Sequence, residues 1–355
     1  MLVPILLVIG HALALQDVLS YVNPLIGTNS GGNVFAGASL PYSLSKASPD
    51  VSGQNTAGFA TDNSSVTGFS ALHDSGTGGN PSLGNFPLFP QVCPDGDDVN
   101  SCVFDKTARG VDYVAESVVA RPGYFGLDLE SGIHADMVVS GRAALFRFTF
   151  SEGEEGSPLV LLDLTDLWES RQNASISIDP AQGRVLANGT FLPSFGAGSY
   201  RAYTCVDFLG ADVRDSGVWV NDRAGTDVQE LYVTRGFNLF YIQAGGFLRF
   251  QRPEMGNMTV TARVGLSYMS SQQACLNAER EIPAPLEDFD RLREEAEAAW
   301  REKLAPISIE SGGADEELQR SFWSGLYRNM LDPQDVTGEN PLWESEEPYF
   351  DSFYW

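Results

Sequence analysis

The residues able to do chemistry are few in kind and mostly acidic: 3 His, 4 Cys and 47 Asp+Glu stand against 22 Lys+Arg in 355 residues, a net charge of −25. His73 lies in Gly68-Phe-Ser-Ala-Leu-His-Asp-Ser-Gly-Thr-Gly78. Glycines there allow a ligand close to the backbone, and His, Ser and Thr can exchange hydrogen bonds with it. Read alone, such a His is more often a hydrogen-bonded structural residue. The run Gly76-Thr-Gly-Gly79 has no following Lys and no basic neighbour, so it is not a phosphate loop. Asp163, Asp166, Trp168 and Glu169 gather carboxylates beside an aromatic; with no partner motif they read as a strand end facing solvent.

The excess of acid argues against a nucleic-acid partner, which needs clustered Lys and Arg. The apolar run Leu2–Ile9 followed by Ala12-Leu-Ala14 reads as a secretory signal cut near Ala14, with a buried N-terminal strand as the alternative. No stretch reaches the roughly 18 apolar residues a membrane span needs. Acceptor sequons at Asn63, Asn173, Asn188 and Asn257 agree with a secreted glycoprotein. Cys93 and Cys102 bracket a Pro/Gly/Asp loop and are expected as a loop staple, with Cys205–Cys275 as the second bridge. Cysteine spacings of 9, 103 and 70 contain no C-x-x-C knuckle, which argues against zinc.

The elements that must position these residues are mainly β. From about Gln16 to Ser271, short alternating runs are broken by Gly, Pro, Asn and Asp. Ala143–Phe150 puts Phe146, Phe148 and Phe150 on one face, Leu159–Leu164 is continuously apolar, and Leu239–Ala244 and Met258–Leu266 also read as strands. A large β-sandwich follows. After Pro283–Pro285 the period changes: Leu286, Phe289, Leu292, Ala296, Trp300 and Leu304 form one helical stripe, and Leu318, Phe322, Leu326 and Met330 a second. Ile307-Ser-Ile309 reads as a strand-like link between them, and the chain turns helical after about residue 285.

Several segments together carry a resemblance. They are Tyr21-Val-Asn-Pro-Leu-Ile-Gly-Thr28, Gly31-Gly-Asn-Val-Phe-Ala-Gly-Ala-Ser-Leu-Pro41, Ser48-Pro-Asp50 and the Gly68–Gly78 segment. Later come Val264-Gly-Leu-Ser-Tyr-Met-Ser, Asp288-Phe-Asp290, Trp300-x-x-x-Leu304, Phe322–Leu331 and Tyr349-Phe-Asp-Ser-Phe-Tyr-Trp355. In this order and spacing, over about residues 18–355, the chain resembles glycoside hydrolase family 92, the calcium-dependent exo-α-mannosidases.

The resemblance implies a signal peptide at 1–14, a β-sandwich at 15–271, a helical linker at 272–311 and the start of an (α/α)6 catalytic barrel at 312–355. It implies inverting removal of terminal α-mannose from mannose-containing glycans or glycoproteins, with Asn33, Phe35, His73, Ser75 and Thr77 lining the sugar pocket and Trp355 beside a substrate-contacting Asp. Ala71 stands where the family pattern has a first His, which departs from it. The family's acid, base and calcium ligands lie in the barrel and have no counterparts to carry over. An inverting glycosidase needs two carboxyl groups about 6.5–9.5 Å apart, so this chain alone is expected to be inactive and to bind no calcium. The eleven Asp and Glu from Glu310 to Trp355 lack a D-x-D-x-D-G loop and read as a solvated or barrel-facing surface. The aromatic end at Trp355 is expected to lie inside a domain. The alternative is a non-catalytic carbohydrate-binding module.

Overall fold

The computed structural model describes residues 17–31, 33–75, 82–94, 98–152, 156–194, 197–237, 240–309 and 313–351. The proposed leader, Thr77 and Trp355 lie outside these residues. Two antiparallel sheets, neither of them closed, stack face to face. One has eight strands in the spatial order Ala38–Ser39, Lys46–Val51, Val66–Ser70, Leu88–Cys93, Ser157–Asp163, Ala244–Phe250, Val213–Val220 and Arg223–Gly225. The other has nine: Glu230–Thr234, Asn173–Asp179, Arg184–Phe191, Tyr200–Leu209, Met258–Ser267, Ala143–Phe150, Ile133–Val139, Tyr124–Asp128 and Val119–Arg121.

Alternation drives the stacking, since a period of two puts every second side chain on one face. Phe146, Phe148 and Phe150 point between the sheets, and the Phe148 ring meets Phe69 of the opposite sheet at 5.4 Å between centroids. Ser157–Asp163 is buried on both faces, as a continuous apolar strand requires. Its outer face is covered by Phe89, Val99, Phe104, Trp219 and Phe247, beneath the loop stapled by Cys93–Cys102.

Three helices follow. Helix α1 (Ser271–Glu281), capped by Ser270, is tied to the sheet by Cys205–Cys275. It begins before the prolines, earlier than the change of period near residue 285, because its polar composition carries no apolar stripe. Helix α2 (Asp288–Leu304) buries Phe289, Leu292, Ala296, Trp300 and Leu304, whereas Leu286 precedes the helix and is exposed. Helix α3 (Glu316–Arg328) bears out half of the stripe read in the sequence: Leu326 and Met330 are half-buried against the cluster that holds buried Trp323 and Tyr327, whereas Leu318 and Phe322 are exposed. Ile307–Ile309 joins no sheet, and Phe240–Gln243 belong to a loop, with the strand starting at Ala244. No helix among the described residues is long and apolar enough to cross a membrane.

Candidate functional site

One end of the sandwich collects the loops carrying most of the residues marked in the sequence. Strand Val66–Ser70 delivers its chain into the His73 loop, where His73 pairs with Leu83 as an isolated bridge. His73 Nδ1 lies 2.8 Å from the Lys46 carbonyl oxygen, and Nε2 lies 2.6 Å from Asp50 Oδ1 and 3.2 Å from Ser70 Oγ. A carbonyl only accepts, so Nδ1 carries the hydrogen of that contact, and Nε2 faces the Asp50 carboxylate. Ser70 Oγ donates to Asp50 Oδ2 at 2.5 Å. Gly58 closes over this network in the left-handed region, φ +86°, where a Cβ would sit 2.6 Å from Nε2.

Phe35 and His73 are wholly buried. Their ring centroids are 5.8 Å apart, and Phe35 packs with Val22, Ala57, Trp300, Leu304, Trp323 and Tyr327. Phe35 N–H reaches the Ser75 carbonyl at 3.5 Å, joining the two loops. Asn33 is exposed and Ser75 half-buried. The structure therefore brings Phe35, His73 and Ser75 together, with Asn33 two residues along on the outside.

Lys46 is fully buried beside them. Its ammonium donates to the Ser43 carbonyl at 3.0 Å. Burial pulls its pKa down to about 7, against the opposing pull of Asp332 and Asp74. The segment after α3 docks here: Tyr42 N–H bonds to Met330 O at 2.8 Å, Asp335 N–H to Tyr42 O at 2.7 Å, and Gln334 Nε2 reaches the His73 carbonyl at 3.4 Å.

Beside this contact lies a cavity of about 390 Å³, lined among others by Tyr200, Tyr268, Glu339, Asn340, Leu342 and Tyr349. Asn85 Nδ2 donates to the Tyr200 hydroxyl at 3.0 Å, so the cavity adjoins the loop that pairs with His73. Glu339 is buried and accepts from Ser267 Oγ (2.7 Å), Tyr268 N–H (2.8 Å) and Asn277 Nδ2 (3.1 Å). Sequence reasoning missed these residues. Glu339 was counted into an acidic surface, and only its partners' place in the Val264–Ser270 segment hinted at more.

The Asp163–Glu169 group also departs from the solvent-facing expectation. Asp163 is buried and pairs with buried Arg109 at 2.8 Å. Asp166 accepts from Ser170 N–H (2.6 Å) and Ser170 Oγ (2.5 Å), and burial pushes its pKa up to about 6. A strand that is covered on both faces carries its terminal carboxylates inward, provided each finds donors. Trp168 alone of the four is exposed.

Sequons at Asn63 and Asn257 sit on exposed positions, and those at Asn173 and Asn188 on half-buried positions of paired strands. Among the described residues no group of three or more His, Cys, Asp or Glu could hold a metal ion.

Comparison with known proteins places this arrangement. The profile of the glycosyl hydrolase family 92 N-terminal domain matches residues 21–267, and that of the family's catalytic domain residues 273–354. An uncharacterized secreted glycosidase of Arthroderma benhamiae is 56% identical over 343 residues, covering 95% of this chain and 44% of that protein. A family 92 α-mannosidase from Bacteroides thetaiotaomicron, solved in complex with mannoimidazole, superposes with a TM-score of 0.73 at 21% identity, over 91% of this chain and 41% of the other. An inverting mannosidase of the same family and organism gives 0.72 at 22% identity, over 90% and 40%. These two likenesses are of fold. The chain spans less than half the length of the curated relative it matches. With one family profile covering more than half of the chain and a relative so similar along 95% of it, the chain belongs to glycosyl hydrolase family 92.

Proposed function

We propose that this chain forms the sandwich-side wall of an exo-α-mannosidase site that trims terminal α-mannose from glycans with inversion. The observation that carries the reading is the joint family match across both the sandwich and the segment after it, with the His73 loop at their contact. The solved relatives described as inverting and as binding mannoimidazole support the substrate class.

In this reading Asn33 and Ser75 offer amide and hydroxyl groups to sugar hydroxyls, and Thr77 and Trp355 complete the rim. Phe35 and His73 act one layer behind: the buried imidazole is held at both nitrogens and fixes the loop that presents Ser75. Inversion requires an acid and a base placed about 6.5–9.5 Å apart with a water between them. Glu339 and Asp50 do not serve, because each spends its oxygens on fixed donors. The chain alone then binds and positions mannosides without turning them over. Secretion, and glycans on Asn63, Asn173, Asn188 and Asn257, belong to the same reading.

The test is thermal-shift titration of the chain with mannoimidazole alongside an assay for released mannose. Stabilisation without release is expected. No stabilisation at millimolar ligand refutes the binding wall, and steady mannose release refutes the assignment of acid and base elsewhere.

A further inference from the structure

The most exposed aromatic surface near the His73 loop lies on two neighbouring loops. Phe237 and Phe240 are 80% and 79% exposed and Trp168 is 44% exposed. Isolated apolar side chains at a surface need no explanation, but three large aromatic rings on joined loops do.

The joining is strong. Arg171, itself fully buried, donates from Nη1 to Leu164 O (2.7 Å) and from Nη2 to Thr234 O (2.9 Å) and Ile242 O (2.5 Å), so one guanidinium holds the stems of both loops. It lies over the Tyr241 ring at 4.7 Å, and the Tyr241 hydroxyl meets Thr165 Oγ1 at 2.9 Å. Arg235 Nη1 donates to the Glu169 carbonyl at 2.6 Å, next to Trp168. In the second loop Phe240 N–H bonds back to Phe237 O at 3.1 Å. Gly236, φ +115°, makes that turn possible: a Cβ there would meet the Phe240 carbonyl oxygen at 2.0 Å. The stems of both loops are therefore tied to one buried guanidinium, the kind of support a recognition surface needs.

The frame is continuous with the candidate site. Leu167 N–H bonds to Leu83 O at 2.9 Å and Phe86 N–H to Thr165 O at 3.0 Å, and Leu83 is the residue paired with His73. Among the described residues the cations at these loops are turned to backbone carbonyls, Arg235 to Glu169, Arg171 to Leu164, Thr234 and Ile242, and Lys106 to Asp166, and the chain as a whole is strongly acidic. Neither an acidic partner nor an anionic lipid surface suits such a patch. Flat aromatic rings beside backbone carbonyls and amides suit the apolar faces of uncharged pyranose rings.

We propose that Trp168, Phe237 and Phe240 form a platform for the neutral oligosaccharide beyond the terminal sugar, so that the preferred substrates are extended mannose-rich glycans over small mannosides. This deepens the mannosidase reading and rests on it. The test is affinity electrophoresis of the full chain through native gels containing soluble α-mannan, with the Trp168→Ala/Phe237→Ala/Phe240→Ala variant alongside. Retardation of the wild-type chain, and at least a fivefold weaker affinity of the variant, are expected. Equal retardation of both, or none of the wild-type chain, overturns the platform. So does a change in sedimentation without a change in retardation, which would make the patch a contact between copies. Mannoimidazole stabilisation of the same two proteins reports the terminal-sugar site separately: its absence in both, with mannan retardation weakened in the variant alone, refutes the mannosidase reading and leaves only glycan binding at the three rings. All three side chains are exposed, so an unchanged melting temperature verifies that the variant is folded.

Discussion

Lys46→Met tests the electrostatics of the junction between the sandwich and the segment after α3. The ammonium is fully buried, and its pKa falls from 10.5 to about 7, chiefly through desolvation. In the unfolded chain the group keeps its ordinary pKa, so between pH 7 and 10.5 the unfolded state binds the extra proton. Stability then rises with pH across that window. Below pH 7 both states are protonated and the burial cost is fully present. At about 1.36 kcal/mol per unit, the 3.5-unit gap is worth at most about 5 kcal/mol, and the change between pH 6 and pH 9 is about 3 kcal/mol. Methionine has similar bulk and no charge, so Lys46→Met removes this dependence. The acidic chain has other reasons to respond to pH, but they are common to both proteins and cancel in the difference. Urea unfolding of both proteins at pH 6, 7, 8 and 9 is the assay. The variant gains most relative to wild type at pH 6, and its advantage shrinks by about 3 kcal/mol by pH 9. A difference that is flat in pH, or that grows with pH, refutes the assignment of a desolvated, weakly held proton to Lys46.

Two further perturbations probe the frame. In the chain-entropy account, closing 70 residues between Cys205 and Cys275 stabilises by about 4 kcal/mol and closing the Cys93–Cys102 loop by about 3; paired Cys→Ala variants measured by denaturant unfolding should keep that order, and a reversal counts against it. Gly58→Ala must place a Cβ 2.6 Å from a rigid imidazole at a left-handed backbone, which is expected to cost about 2–4 kcal/mol; a loss under about 0.5 kcal/mol means the His73 loop yields easily.

Much of the scaffold was legible because it depends on short-range period. Ala143–Phe150 alternates and is a strand over those same residues, and the α2 stripe from Phe289 to Leu304 is the buried one. What was hidden depends on partners distant in sequence. Lys46 answers to Asp332, Asp163 to Arg109, and Glu339 to Ser267 and Asn277, and no local pattern announces such pairs. The face of α3 was legible only in part, for a related reason. Of its stripe, Leu326 and Met330 reach the interior while Leu318 and Phe322 do not, because the partners facing the helix, Trp300 against Tyr327 among them, are distant in sequence. Within the site, His73 is an interior imidazole with a partner at each nitrogen, and both partners, Lys46 and Asp50, lie more than twenty residues away in sequence.

The apolar cluster around Phe35 has a consequence for how the chain can be divided. The family profiles part between residues 267 and 273, yet Val22, Phe35 and Ala57 on one side share an interior with Trp300, Leu304, Trp323, Tyr327 and Leu331 on the other. The Trp300 indole N–H also donates to the Ser39 carbonyl at 2.7 Å, and Arg301 grips Asp17 with two nitrogens. A homology boundary and a mechanical boundary are thus different places in this molecule. A cut at the former would expose two water-averse surfaces, one of them rich in indole, and a lineage exchanging sandwiches between glycosidases would have to carry α2 and α3 along with the piece it moves.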